Sequence, residues 1–209
     1  MRDESRPGLL AGALMAVLAL GIVLSAGPAG AAVATFPVAA NSDDAFEQPP
    51  ATMFIGTDPM AVRSGILASN LLHAGFRFPA VTVARGSTVN RATLEVYAVD
   101  GTGSYDDFSA TAYGHASDNS PAFSAGVNDI INRTTTAAFQ TIHRPNWGGP
   151  GWRYIDVTRI VQEIVDRGGW ASGNALSILL KGGTALPVGE FRMEPFENAG
   201  TNHARLTID

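Results

Sequence analysis

Cysteine is absent from the 209 residues. That removes a disulfide framework, a zinc–thiolate centre and a cysteine nucleophile together. Charge is sparse as well: Asp, Glu, Lys and Arg make up 16% of the chain, with a formal net charge of −5. A nucleic-acid surface needs a basic patch against phosphate, so nucleic acid is excluded as a partner. There is no Gly-x-Ser-x-Gly elbow and no phosphate-binding glycine loop. His73, His115, His143 and His203 are scattered, and no two have metal-ligand spacing. Asp106–Asp107 and Glu194 with Glu197 are paired carboxylates. Adjacent residues of an extended chain point to opposite faces, however, so Asp106 and Asp107 are poorly placed to flank one glycosidic bond. The expectation is a protein without enzymatic activity.

What is present favours a core of short strands. Hydrophobic residues make up 45% of the chain, and 23 Gly with 12 Pro supply turns. Arg2 and Arg6 precede an apolar run from Leu9 to Ala26, and Ala29-x-Ala31 follows. This is the layout of a secretory signal peptide over residues 1–31, cleaved after Ala31 or at neighbouring Ala32. The competing reading is an uncleaved N-terminal anchor, since eighteen apolar residues barely cross a hydrocarbon core of ~30 Å. Either way the rest is expected to be secreted or cell-surface, with the membrane met only through this segment. Residues 32–42 read as an Ala-rich lead-in, and 43–209 as one domain.

Within that domain, period-two runs recur between turn signals. Ala92, Leu94, Val96 and Ala98 share one face of a strand, with Thr93, Glu95 and Tyr97 on the other. Further strands are read at Phe76–Phe78 with Val81 and Val83, interrupted at Pro79, and at Phe108–Tyr113, Trp152–Val157, Ala175–Lys181, Gly189–Met193 and Arg205–Ile208. Leu176–Leu180 has little polarity on either face and is expected to be a central strand. Val157, Ile160, Val161 and Ile164 follow helical spacing after a capping Asp156. Gly168 is expected to take the left-handed conformation that ends the helix. The fold predicted is all-β: an antiparallel, jelly-roll-like β-sandwich with one short α-helix near residues 157–167 that seals an open end.

Several segments in order resemble an uncharacterised β-sandwich module of large exported bacterial proteins. They are Asp43-Asp44-Ala45-Phe46-Glu47, Gly75-Phe76-Arg77-Phe78, Gly86 to Val96, Asp118-Asn119-Ser-Pro-Ala-Phe123, Arg133-Thr134-Thr135-Thr136 and, longest and most specific, Asp156 to Leu176. The resemblance covers residues 41–209 and implies an extracellular accessory module. Two positions depart from the pattern: Phe46 replaces an acidic residue, and Phe139 stands where a Trp is usual.

Two candidate sites follow. Asp43, Asp44 and Glu47 are hard oxygen donors within five residues and are the candidate metal ligands for a structural calcium ion. Asp118 and Asn119, or Glu194 and Glu197, could complete the shell. The bland alternative is a solvated strand start. For ligand binding, the glycine-rich loop around Asn146 and Trp147, with Tyr154, is the candidate sugar platform, because glycines let a ring stand clear of the backbone. Trp152 and Trp170 are read as core; for Trp147 the core and exposed readings stand level. Arg133 is expected to fork onto a buried carboxylate such as Glu163 or Asp156. The functional expectation is a structural or adhesive module that binds an extracellular glycan. The alternative is a self-assembling surface, filament or coat subunit whose partner is another copy of itself.

Overall fold

In a computed structural model of the chain, the residues described are 32–50, 52–56, 60–65, 71–100, 108–126, 128–144, 149–184, 189–198 and 200–209. Ala31–Asp209 forms one compact unit. Among the described residues there are twelve strands and one α-helix, and every strand pairing is antiparallel. The strands are β1 (Ala34–Pro37), β2 (Asp44–Gln48), β3 (Thr52–Ile55), β4 (Met60–Ser64), β5 (His73–Phe78), β6 (Ala92–Asp100), β7 (Phe108–His115), β8 (Thr135–Arg144), β9 (Gly151–Asp156), β10 (Leu176–Gly182), β11 (Gly189–Met193) and β12 (Arg205–Ile208). The helix α1 spans Thr158–Val165. The protein is the antiparallel β-sandwich that the alternating pattern predicts.

The strands form two six-stranded sheets. Sheet B runs β3-β2-β5-β10-β7-β8. In sheet A, β6 is the hub: β9 pairs with it across Thr93–Ala98, β12 across Ala92–Glu95, and β11 at Ala98 and Asp100. β1 extends β12 and β4 extends β11. The core lies between the sheets. Leu94 and Val96 of β6, Phe76 and Phe78 of β5, and Ile178 and Leu180 of β10 are all buried there, each apolar at every second position.

α1 buries Ile160, Val161, Ile164 and Val165 in that core. It touches β6 of sheet A and β7 and β8 of sheet B, so it closes one end of the sandwich as expected. Gly114 makes the close approach possible, since a Cβ there would overlap Ile160 and Ile164. Asp156 accepts from the Thr158 backbone N–H at 2.9 Å and from Thr158 Oγ1 at 2.6 Å, immediately before the helix. The predicted helix end differs. Gly168 is not left-handed; Gly173, five residues later, has φ +95°. The helix stops at Val165, with Asp166 still right-handed, and Arg167 N–H bonds the Ile164 carbonyl in a tightened last turn.

Candidate functional site

The two outer faces of the sandwich are built differently. On sheet B, the segment 116–134 folds back over the sheet. Phe123 and Ile130 pack with Ala45 and Leu179 in a second, smaller core outside the sheet. Gly75 is required here, because any Cβ would overlap the Phe123 ring. Arg133 stacks 4.1 Å from that ring and binds Asp129, Ser120 Oγ and the carbonyls of Pro121 and Ala122, all at 3.0–3.3 Å. The expected partners Glu163 and Asp156 are engaged elsewhere: Glu163 accepts from the Ala137 and Ala138 N–H groups at the margin of β8, and Asp156 from Thr158. The carboxylate that Arg133 does bind, Asp129, lies only four residues before it.

The proposed metal ligands do not converge. Asp43 binds Arg77 at 2.5 Å and the Ala39 N–H. Glu47 accepts from the Ile130 and Ile131 N–H groups at 2.9 and 2.6 Å, clamping the covering segment onto β2. Asp44 faces the other way, opposite inward-facing Phe76. Strand alternation separates Asp44 from Glu47, and among the described residues no three His, Asp or Glu side chains gather into a metal cluster. Asp118 and Asn119 serve the fold too. Asp118 pairs with Arg167 at 2.7 Å, and Asn119 Oδ1 accepts from the Ala175 N–H.

Ser120 Oγ lies 2.8 Å from His115 Nδ1, a contact between a hydroxyl and a base. It is also 2.7 Å from Ser177 Oγ and 3.2 Å from Arg133 Nη1, and Ser120 is buried. These groups belong to the hydrogen-bond network under the cover. Burial, then the Arg133 charge, hold His115 down at about 4.

Among the described residues, sheet A carries no such cover over β6, β9 and β12. Their outward residues form a cross-strand grid: Tyr97 opposite Trp152, Glu95 opposite both Tyr154 and Arg205, and Thr93 opposite Asp156 and Thr207. Tyr97 meets Trp152 edge-to-face at 5.5 Å, and the Arg205 guanidinium stacks 4.2 Å from the Trp152 ring. Trp152 is therefore a half-buried residue of the outer face and not part of the core. Trp170, by contrast, is buried as expected beside α1, its Nε1–H donating to the Val83 carbonyl at 3.0 Å. Glu95 is the polar centre, accepting from Arg205 Nε at 2.8 Å and Thr207 Oγ1 at 2.6 Å.

Tyr154 is 56% exposed and borders a groove of about 350 Å³ lined by Val33, Arg91, Thr93, Glu95, Thr207 and Asp209. That size lies at the low end of the ~300–1,000 Å³ of small-molecule sites. Of the three expected ligand-binding residues, only Tyr154 can be placed; Asn146 and Trp147 lie outside the described residues. Period-two alternation could have revealed Glu95, Arg205 and Thr207, but only the strand pairing makes them neighbours. A larger hollow of about 580 Å³ runs along α1 between Arg159, Gln162, Glu163 and Asp166. No aromatic ring lines it. The groove beside Tyr154 is the better-equipped site. No protein-family model matches the chain and no curated protein matches it.

Proposed function

We propose that the protein is an exported, non-catalytic β-sandwich module with an adhesive role, and that it binds carbohydrate on the outer face of sheet A. The observation that carries this reading is the exposed Tyr154 ring at the rim of a groove furnished with Glu95, Arg91, Thr93 and Thr207. A pyranose presents a C–H face that lies on an aromatic ring and a rim of hydroxyls that bond in the ring plane. A carboxylate, a guanidinium and two hydroxyls match that rim with both acceptors and donors. The grid holds the groups in place before a ligand arrives, which lowers the ordering cost of binding. Export rests on the basic start, apolar run and Ala29-x-Ala31 of the sequence.

A glycan array followed by calorimetry with soluble oligosaccharides tests the reading. Binding should fall at least tenfold in Tyr154→Ala and in Thr207→Val while both variants stay folded. Absence of any glycan ligand, or binding indifferent to both changes, would sink it.

The second reading is a self-assembling surface subunit. It is favoured by β9, which pairs only with β6 among the described residues and so offers its other edge. Sedimentation velocity would show large species if this reading holds, and a single small species if it does not.

A further inference from the structure

Among the described residues, one group of buried carboxylate oxygens has no protein partner. Asp44 is 1% exposed and points into the sandwich from β2. Its Oδ2 accepts from the Phe196 N–H at 2.8 Å, but Oδ1 has no hydrogen-bond partner. Glu197, the residue after Phe196, turns inward, and both of its carboxylate oxygens are buried without a partner. The two side chains are close enough that Glu197 adds to the burial that pushes the Asp44 carboxyl up to about 7. Arg77 of β5 points to the other face of the sheet and is committed to Asp43 and the Ser120 carbonyl. Two carboxyl groups 153 positions apart in sequence thus leave three buried oxygens without a hydrogen-bond partner among the described residues.

Gly56 opens onto the same spot. A Cβ there would lie 3.1 Å from Glu197 Oε1 and 3.4 Å from the Asn41 side-chain nitrogen, so glycine keeps that space clear and brings a third polar side chain to it. Amide oxygen and nitrogen exchange places on a flip of the Asn41 side chain, which would turn its oxygen to the carboxylates. All the available donors are hard oxygens, which excludes the nitrogen- and sulfur-bound metals.

We propose that Asp44 and Glu197 bind a calcium ion, with the Asn41 amide, backbone carbonyls and water completing its shell. Calcium accepts mixed carboxylate and carbonyl sets of six to eight oxygens, whereas magnesium demands a strict octahedron and keeps its water. The ion joins β2 of sheet B to the segment following β11 of sheet A. In a chain without cysteine it does the work of a disulfide, tying together distant stretches of sequence. This assignment is independent of the glycan reading, which concerns the outer face of sheet A.

The test uses the full chain, stripped with chelator and desalted, then titrated with calcium chloride in a calorimeter and melted with and without the ion. One calcium per chain is expected, with Tm rising by roughly 5–10 °C at a hundredfold excess over Kd. Glu197→Gln keeps the side-chain volume and removes the charge. It should abolish both calorimetric binding and the Tm rise, while its calcium-free Tm equals or exceeds that of calcium-free wild type. Three results overturn the proposal: no uptake by wild type, a Tm rise that survives in Glu197→Gln, or an equal rise with magnesium chloride.

Discussion

The same cation–π contact occurs on both outer faces of the sandwich, in opposite surroundings. On sheet B the Arg133 guanidinium stacks 4.1 Å from Phe123, and Arg133 is 7% exposed. On sheet A the Arg205 guanidinium stacks 4.2 Å from Trp152, and the Arg205 side chain is 39% exposed. Sheet B spends its pair internally. Each guanidinium nitrogen of Arg133 donates to residues between Ser120 and Asp129, and Glu47 and Lys181 grip Ile130 and Ile131 beside it, with Lys181 Nζ donating to the Ile131 carbonyl at 3.1 Å. Sheet A leaves its pair at the surface, tied to Glu95 only on one side. Equal chemistry thus serves the fold on one face and remains available to a ligand on the other. Burial, not residue type, separates the two roles.

The largest effects should come from breaking the covered face. Arg133→Met keeps the apolar stem over Phe123 but strands Asp129 and the carbonyls of Pro121 and Ala122. Removing one member of such a buried network costs about 3–5 kcal/mol, read from urea denaturation. A loss below 1 kcal/mol would mean the cover is held by Phe123 and Ile130 alone. The next effect is a pH dependence confined to the same face. His73 is buried under the cover between Glu47 and Lys181, its Nδ1 accepting from the Gly182 N–H at 3.0 Å. Burial first, and then the Lys181 charge, hold it down at about 4. The unfolded chain therefore takes up the proton at higher pH than the folded one. Stability contributed by neutral His73 is complete above pH 6.5 and is lost as pH falls towards 4, about 3 kcal/mol in all. Asp44 titrates in the same range with the opposite sign, so the quantity to measure is wild type minus His73→Asn. That difference should shrink from pH 7 to pH 4, and a flat difference would place the imidazole in water.

Much of this contrast was hidden in the sequence for physical reasons. The helix was legible because Ile160, Val161 and Ile164 keep one face, and β10 was legible as central because Leu176 to Leu180 are apolar on both faces: Leu180 enters the main core while Leu179 enters the outer one. β1 carries no strand signal and falls within the Ala-rich lead-in, since Ala34–Pro37 has only Phe36 fully buried and its strand state is imposed by pairing with β12. β8 carries no such signal either, because it is a polar edge strand whose exposed residues follow no apolar alternation. The acidic string was the most misleading. Asp43, Asp44 and Glu47 look solvated or metal-bound as a set, yet all three are buried and each points to a different partner. The longest motif turned out to dock on the Asp118–Phe123 segment: Asn174 Nδ2 donates to the Asp118 carbonyl, and a Cβ on Gly169 would overlap the Asp118 carboxylate. Such long-range docking carries no local periodicity.

Changes on the open face should cost far less stability. Glu95→Gln leaves an acceptor for Thr207 but turns an amide towards Arg205, and the one lost bond, from a guanidinium that is 39% exposed, is worth about 1 kcal/mol. Arg205 should then loosen from Trp152, and a change in tryptophan fluorescence would report it. An effect as large as that of Arg133→Met would show that sheet A, too, is knit for stability.

Tyr154→Ala should have the smallest stability effect and the most telling functional one. The ring is more than half exposed, and its loss removes little buried area, so unfolding free energy should change by no more than about 0.5 kcal/mol. If sugar stacks on that ring, the same substitution removes a contact made only with ligand, and glycan affinity should fall at least tenfold, about 1.4 kcal/mol. The ratio of the two effects is the discriminating quantity. A residue that serves the fold loses stability and binding together, as Arg133→Met would; a residue that serves a ligand loses binding alone. Should Tyr154→Ala lower the urea midpoint as Arg133→Met does, with glycan binding lost only in proportion to unfolding, the ring would be a structural element and the open face would lose its claim to function.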